Sequence, residues 1–346
     1  MSAILPAVST KPDIQVALKA ACYKSDQTYA PREWVIKNLV GLQMLNVWIG
    51  PEKSRKSSFA MRFFMHVACG NSFDGFSVPR PRGVVYLSAE DPGIDLDVRY
   101  RAMLEEFTPS EQALIEKNFQ LIKGRDEFIS KGINIEHTNR EFWRELPKMY
   151  PAEVYVLDAL EMFCSGRTNE SMRDALISLR NYCGPNNCLV ILHHTRKRSE
   201  YETTKHKPIL LRNIGVRVWS DKCLGAGAIK RIADTIMCQE YWEEKDTDGF
   251  IVDASTDLAA FGKSIEDIPL LTFKDEGVYR YKLVRDLGTG ASESLRTLRE
   301  ARGPWPSRNA AAKTLKLSRS QANLHVRELL QKGWLHANDD GSISLG

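Results

Sequence analysis

The 346-residue chain has no stretch near the ~18 consecutive apolar residues that cross a bilayer. Its first thirty residues also lack the basic start, apolar core and small-residue cleavage site of a secretory leader, so a cytoplasmic protein is the expectation. Cysteine is sparse and unpatterned. The seven cysteines are odd in number, scattered, mostly set in apolar runs and never spaced CxxC, which argues against a disulfide scaffold and leaves buried reduced thiols. Glycine (22) and proline (15) are too few for a collagen-like or low-complexity chain, and no internal repeat occurs. A strong charge of one sign is missing too: the net charge is only +4, so the overall balance does not argue for a polyanionic partner.

What is present is an ordinary globular composition, 43% hydrophobic and 27% charged, with length enough for roughly two domains of ~150 residues. The charge is unevenly placed. Residues 291–346 hold nine Lys/Arg against five acids, an excess equal to that of the whole chain. Residues 196–222 hold eight Lys/Arg against three acids in one long polar stretch, a solvated loop or a functional one.

Short apolar runs alternate with helical patterns. Leu45–Ile49, Gly83–Leu87 (GVVYL), Phe119–Ile122, Val154–Leu157 (VYVL) and Cys188–Leu192 (CLVIL) read as buried strands, and Ser57–Cys69 as a helix apolar nearly all round. Glu141–Leu146 reads as a helix stopped by Pro147. This alternation predicts an α/β fold with a doubly wound, mostly parallel sheet. Ala233–Cys238 and a hairpin, Leu270–Lys274 with Val278–Leu283, follow as later strands. After a linker at 287–291 come three short helical patterns and a ribbon turning at Asp340-Gly341, which predicts a winged helix-turn-helix domain over 292–346. In its third helix Ser318 and Gln321 form a capping box, and Arg319, Asn323 and Arg327 stack opposite the apolar face.

Four constellations sit at the carboxyl ends of predicted strands, where open α/β sheets bind ligands. Gly50-Pro51-Glu52-Lys53-Ser54-Arg55-Lys56-Ser57-Ser58 lies between a strand and a helix, where a phosphate-binding loop belongs. It matches GxxxxGK[ST] at Gly50, Lys56 and Ser57, but Arg55 stands where the second glycine should be. In such a loop backbone N–H groups cradle a phosphate, Lys56 would neutralise its oxygens and Ser57 would ligate Mg²⁺. A basic surface turn is the plainer alternative. Glu90, just past GVVYL, is placed to polarise a water or is a solvated acid. Asp158, ending VYVL, holds Mg²⁺ through water or caps a helix. His193-His194 ends CLVIL; without a metal-binding spacing around it, a phosphate sensor fits better than a metal ligand.

Together the loop GPEKSRKSS, YLSAED, VLDAL, LHHTRK and the later LGAGA resemble the RecA-like ATPases of the plasmid RepA type, hexameric replicative helicases and their relatives, over about residues 30–285. That family reads glycine at position 55, so the departure bears on hydrolysis more than on fold. The resemblance implies ATP and Mg²⁺ as cofactors and a RecA-like domain over 31–286 after an amino-terminal extension, 1–30. It implies phosphate binding by Gly50, Pro51, Lys53, Ser54, Arg55, Lys56, Ser57 and Ser58, a metal at Ser57 and Asp158, Glu90 as base, and Lys56 and His194 beside it. It further implies self-assembly into a ring or filament, a basic residue supplied by the neighbouring subunit (Lys222, Lys230 or Arg231), and DNA contacts from the 196–222 loop. In that loop Arg196, Lys197, Lys205, Lys207, Arg212 and Arg217 would meet phosphates, and Tyr201 or Trp219 would stack on bases. The carboxyl-terminal pattern adds Arg308, Arg319, Asn323 and Arg327 as DNA contacts, although winged helices also bind proteins. Three functions stay open: a DNA-dependent ATPase of a plasmid or phage, a non-hydrolysing DNA-binding relative, and a small-molecule kinase.

Overall fold

The computed structural model describes residues 31–73, 76–166, 168–182, 186–195, 211, 216–223, 225–245, 251–263, 265, 267–277, 279–284, 294, 297–298, 301, 303–331, 335–338 and 340–345. The elements below belong to the compact unit Trp34–Gly346. The strands are β1 (Trp34–Ile36), β2 (Val40–Gly41), β3 (Leu45–Gly50), β4 (Val84–Ser88), β5 (Phe119–Lys123), β6 (Val154–Asp158), β7 (Cys188–His194), β8 (Thr235–Lys245), β9 (Ile251–Gly262), β10 (Ile268–Asp275), β11 (Tyr281–Val284), β12 (Leu335–Ala337) and β13 (Ile343–Leu345). The longer helices are α1 (Lys56–Cys69), α2 (Gly93–Leu104), α3 (Pro109–Asn118), α4 (Arg140–Met149), α5 (Asn169–Tyr182), α6 (Ala226–Ile232), α7 (Arg308–Thr314) and α8 (Arg319–Gln331).

Nine described strands form one sheet in the order β11-β10-β9-β8-β3-β7-β6-β4-β5. From β8 to β5 every neighbouring pair is parallel, whereas β8, β9, β10 and β11 pair antiparallel. This is the expected RecA-like α/β sheet. Both faces of its parallel part are covered, which is why β3, β4 and β6 are buried along their whole length and are apolar except for Asn46 and the polar residues at their carboxyl ends. One core, on the α1 face, gathers Trp48, Phe59, Phe63, Val190 and Leu192; the other gathers Val47, Ile49, Leu157, Leu189 and Ile191. Their fully buried aromatic and branched side chains each contribute roughly 1.5–3 kcal/mol through area removed from water.

Local sequence sets several boundaries. Helix α1 ends at Gly70, whose φ of 80° lets its N–H reach back to the His66 carbonyl. Helix α3 opens on a capping box in which Thr108 accepts from the Glu111 N–H and Glu111 accepts from the Thr108 N–H. Pro147 does not stop its helix. It lies inside α4, in the last full turn, where its missing N–H forfeits one bond, and it borders a small cavity that Trp143, Tyr155 and Leu179 also line. Strand β9 has no counterpart in the sequence reading.

The carboxyl-terminal elements have a core of their own, built from Leu298, Trp305, Ala311, Ala312, Leu315, Ala322, Val326, Leu329, Leu335 and Ile343. Ser307 caps α7, Ser318 accepts from the Gln321 N–H at 3.4 Å to open α8, and β12 pairs antiparallel with β13 while Trp305 bridges to Ile343. The 287–291 linker lies outside the described residues. So do Cys22 and Cys183; the other five cysteines are buried and form no disulfide among the described residues, as the apolar runs around them predict.

Candidate active site

The loop after β3 turns through two left-handed residues, Lys53 at φ 61° and Arg55 at φ 56°, before α1 begins. Arg55 thus occupies the backbone conformation that the missing glycine would supply without strain, at a cost of roughly 1–2 kcal/mol. Its side chain leaves the loop. The guanidinium pairs with the Asp275 carboxylate at the end of β10 and lies over the Tyr241 ring of β8, 4.6 Å from its centre. At the other end of the loop a Cβ on Gly50 would meet the Gln239 carbonyl at 2.8 Å, so this position accepts nothing larger. Gln239 donates from its side chain to the Ser54 carbonyl at 3.0 Å, and the buried Ser54 hydroxyl keeps no hydrogen-bond partner among the described residues.

Lys56 points the opposite way from Arg55, across β3 toward β7. Its ammonium lies 3.3 Å from Nδ1 of His194, whose Nε2 lies 3.2 Å from Glu90. The two partners assign the tautomer, since an ammonium only donates and a carboxylate only accepts. Nδ1 therefore accepts a hydrogen bond from the lysine ammonium and Nε2–H faces Glu90. Burial lowers the affinity of Lys56 for its proton, against the pull of Asp158, Glu161 and Glu90. Glu90 is held below the usual carboxylate range chiefly by the His194 bond, so it stands ionised.

Asp158 is buried at the end of β6. Burial raises its proton affinity, while Lys56 and the hydroxyls of Ser57 and Tyr86 oppose that rise. Tyr86 donates to its Oδ2 at 2.8 Å; Oδ1 keeps no hydrogen-bond partner among the described residues. An orphaned carboxylate oxygen close to the serine that opens α1 is a donor set that fits Mg²⁺ through oxygen or bound water.

The neighbouring His193 has a different role. It is fully buried, with Nδ1 2.8 Å from Glu161, which also accepts the His194 backbone N–H at 3.2 Å. Burial alone would lower the affinity of His193 for its proton, but Cys223 and Glu161 raise it well above the usual histidine value. Burial alone would likewise raise Glu161, and the His193 imidazole more than offsets it. The result is a buried ion pair that fixes the end of β7. Glu161 and Tyr86 escaped the sequence reading. Adjacent histidines at a strand end, needing an acid to hold them, were the one signal that pointed to Glu161.

The structure thus brings Gly50, Ser54, Lys56, Ser57, Glu90, Asp158 and His194 to one edge of the sheet. Pro51 holds the loop through its carbonyl, which accepts the Ser54 N–H at 3.3 Å; Lys53 is exposed, and Ser58 is buried in the first turn of α1. Among the described residues no cluster of three or more His, Cys, Asp and Glu side chains is arranged to hold a metal ion by itself.

The predicted DNA-contacting residues are less gathered. Arg196, Lys197, Lys205, Lys207, Arg212 and Tyr201 lie outside the described residues. Arg217 is described; it forms a two-pronged pair with Asp267, Nη2 to Oδ1 at 2.8 Å and Nε to Oδ2 at 3.2 Å, and stacks 4.9 Å over Phe261. Trp219 is 1% exposed within the core, so it cannot stack on a base; the end of the long polar stretch folds as two short helical turns, Val216–Trp219 and Ser220–Lys222, that bury it. The ends of that stretch meet where Thr195 bridges to Cys223. Of the residues considered for a neighbour's site, Lys230 is bound to Asp221 at 2.6 Å and Arg231 is exposed. Arg308, Arg319 and Arg327 are exposed and Asn323 is half-buried.

No described helix is long and apolar enough to cross a membrane. A search of curated proteins returns no match to the sequence. Among solved structures, a KaiC-like protein from the archaeon Pyrococcus horikoshii OT3 is similar, with a TM-score of 0.45 and 12% identity over 72% of this chain and 93% of that one. Residues 15–200, just over half of the sequence, match the AAA domain, and the chain belongs to that family of nucleotide-binding P-loop ATPase domains.

Proposed function

We propose that the protein is a Mg²⁺-dependent ATPase of the RepA-like helicase type that assembles on DNA as a ring or filament, in the replication or processing of a plasmid or phage. The observation that carries this reading is the chain Lys56–His194–Glu90 set beside Asp158, four residues from the ends of four parallel strands converging on one loop. An incoming triphosphate competes with His194 for the Lys56 ammonium. Once Lys56 turns to phosphate, His194 is released to face the terminal phosphate, and Glu90, no longer held by His194, regains basicity toward the attacking water. Ser57 and Asp158 hold Mg²⁺, which supplies charge neutralisation of the phosphate oxygens when bound.

The DNA part of the proposal rests on charge and pattern. The basic stretch 196–222 begins two residues past the candidate phosphate sensor His194, and the carboxyl-terminal segment combines a basic excess with the capped helix α8, whose outer face carries Arg319, Asn323 and Arg327. We assign this segment to a winged helix over 292–346, joined by the 287–291 linker to an ATPase domain over 31–286. The non-hydrolysing alternative keeps one specific observation in its favour, the non-glycine residue at position 55.

ATP turnover measured with and without single- and double-stranded DNA, beside equilibrium binding of a labelled ATP analogue, tests the reading. DNA-stimulated turnover is the expected result. Binding without turnover would move the protein to the non-hydrolysing alternative, and phosphorylation of a metabolite without DNA would move it to the kinases.

A further inference from the structure

The left-handed backbone at Arg55 needs support from outside the loop, because a side chain there carries a penalty that glycine does not. The support is visible on the antiparallel side of the sheet. Asp275 is nearly inaccessible, at 3% side-chain exposure, and its Oδ2 is taken by Arg55 while its Oδ1 accepts the Gly277 N–H at 2.9 Å in the hairpin turn. The guanidinium rests on the Tyr241 ring. Strand β3 separates the two directions: Lys56 turns to β7 and the ligand edge, Arg55 to β8 and β10. The arginine is therefore outside the cradle that Gly50, Ser54 and Lys56 line.

We propose that Asp275 and Tyr241 are positioning residues for the phosphate loop. By gripping the Arg55 side chain they hold position 55 in its left-handed conformation, so that the antiparallel extension of the sheet does for this loop what a glycine does elsewhere. This inference rests on the reading of the loop as a nucleotide site, but the grip itself exists without nucleotide and is testable without it.

The experiment has two arms on the full chain. The first follows hydrogen exchange of the 50–57 amides in the ligand-free protein for the parent, Asp275→Asn, Arg55→Gly and the double variant. Asparagine keeps the Oδ1 that closes the hairpin turn and replaces the charged Oδ2, which accepts from Arg55, by an amide NH2 that cannot accept. The expected result is that Asp275→Asn speeds exchange of the loop about tenfold in the parent and leaves the Arg55→Gly protein unchanged, since that protein no longer needs the grip. Equal acceleration in both backgrounds, or none in either, overturns the proposal.

The second arm measures affinity for a labelled ATP analogue. Asp275→Asn is expected to weaken it about tenfold, as loss of a charged hydrogen bond would, and Arg55→Gly to stay near the parent. Tyr241→Phe, which keeps the ring under the guanidinium, should match the parent while Tyr241→Leu does not. A merely structural Tyr241 would leave Phe and Leu alike, and that result would remove it from the grip. A parent that binds no analogue while the exchange arm behaves as expected would fail the nucleotide reading and leave the grip standing.

Discussion

At β3 the sheet changes character. On one side lie β7, β6, β4 and β5, parallel, short and apolar, whose carboxyl ends present His194, Asp158 and Glu90 to the loop. Strand β8, itself parallel to β3, opens the other side, where β9, β10 and β11 run antiparallel, are longer in β8 and β9, and bury polar groups along their length, whereas β4, β6 and β7 bury theirs only at their carboxyl ends. Gln239, Glu240, Thr256 and Asp257 are all nearly inaccessible there, and Asp257 accepts from the Thr272 hydroxyl at 2.7 Å. One half presents groups to a ligand; the other braces the loop from behind, through Gln239 to Ser54 and through Asp275 to Arg55. Sites of this kind need both, because a reacting group is only as well placed as the shell that holds it.

Each half of the sheet can be disabled separately. The largest effect is expected at Glu90, where Glu90→Gln should cut DNA-stimulated ATP turnover by roughly 10²–10⁴-fold while analogue binding stays at the parental level. Unchanged turnover would remove Glu90 from the role of base. On the bracing side, Phe273→Ala should cost about 3–5 kcal/mol in a denaturant titration, since this fully buried ring packs 5.2 Å from Phe59 of α1 and joins the hairpin to the helix that follows the loop. A loss below about 1 kcal/mol would mean that the two halves are mechanically independent.

A smaller effect, with a pH signature, is expected from Glu161→Gln. The carboxylate is held low and its partner His193 high, so the pair's contribution is complete only above the ordinary Glu value of 4.5 and below the ordinary His value of 6.5. It is lost as acid protonates Glu161 and, on the other side, as His193 sheds its proton at alkaline pH. Melting temperatures of parent and variant should differ most between about pH 4.5 and 6.5 and converge at either extreme. A difference that does not vary with pH would show that the two side chains are not an ion pair. The smallest effect is expected furthest from the sheet: Arg319→Ala should weaken binding of duplex DNA by about tenfold or less and flatten its salt dependence by about one phosphate contact. No change in either would count against α8 as a DNA-contacting helix.

The same division decides how much the sequence could tell. Strands buried on both faces leave no choice but apolar residues, so GVVYL, VYVL and CLVIL announced themselves, and the chemical groups followed as whatever polar residue came next. The loop was legible for the same reason, down to the misfit at Arg55. Strand β9, Ile251–Gly262, was not, because Asp253, Ser255, Thr256 and Asp257 interrupt its apolar pattern, and the burial of Ser255, Thr256 and Asp257 depends on partners far away in sequence. Glu161 was hidden in another way. It lies three residues past Asp158 on a short turn, and only the fold brings it under β7. Trp219 looked like an exposed aromatic in a basic loop because hydropathy cannot tell a buried ring in a polar stretch from an accessible one.

The two histidines that close β7 show how narrow the margin is. Ile191 and His193 belong to one face of the strand, Leu192 and His194 to the other, so adjacent and chemically identical side chains are sent to opposite sides of the sheet. Parity alone separates the imidazole that pairs with Glu161 from the imidazole that meets Lys56 and Glu90. Deleting a single residue upstream in β7 would leave its composition nearly intact and its hydrogen-bond ladder repairable, yet it would exchange the faces of everything beyond the cut: the buried ion pair and the proton-handling contact would trade places, each left facing the other's partners.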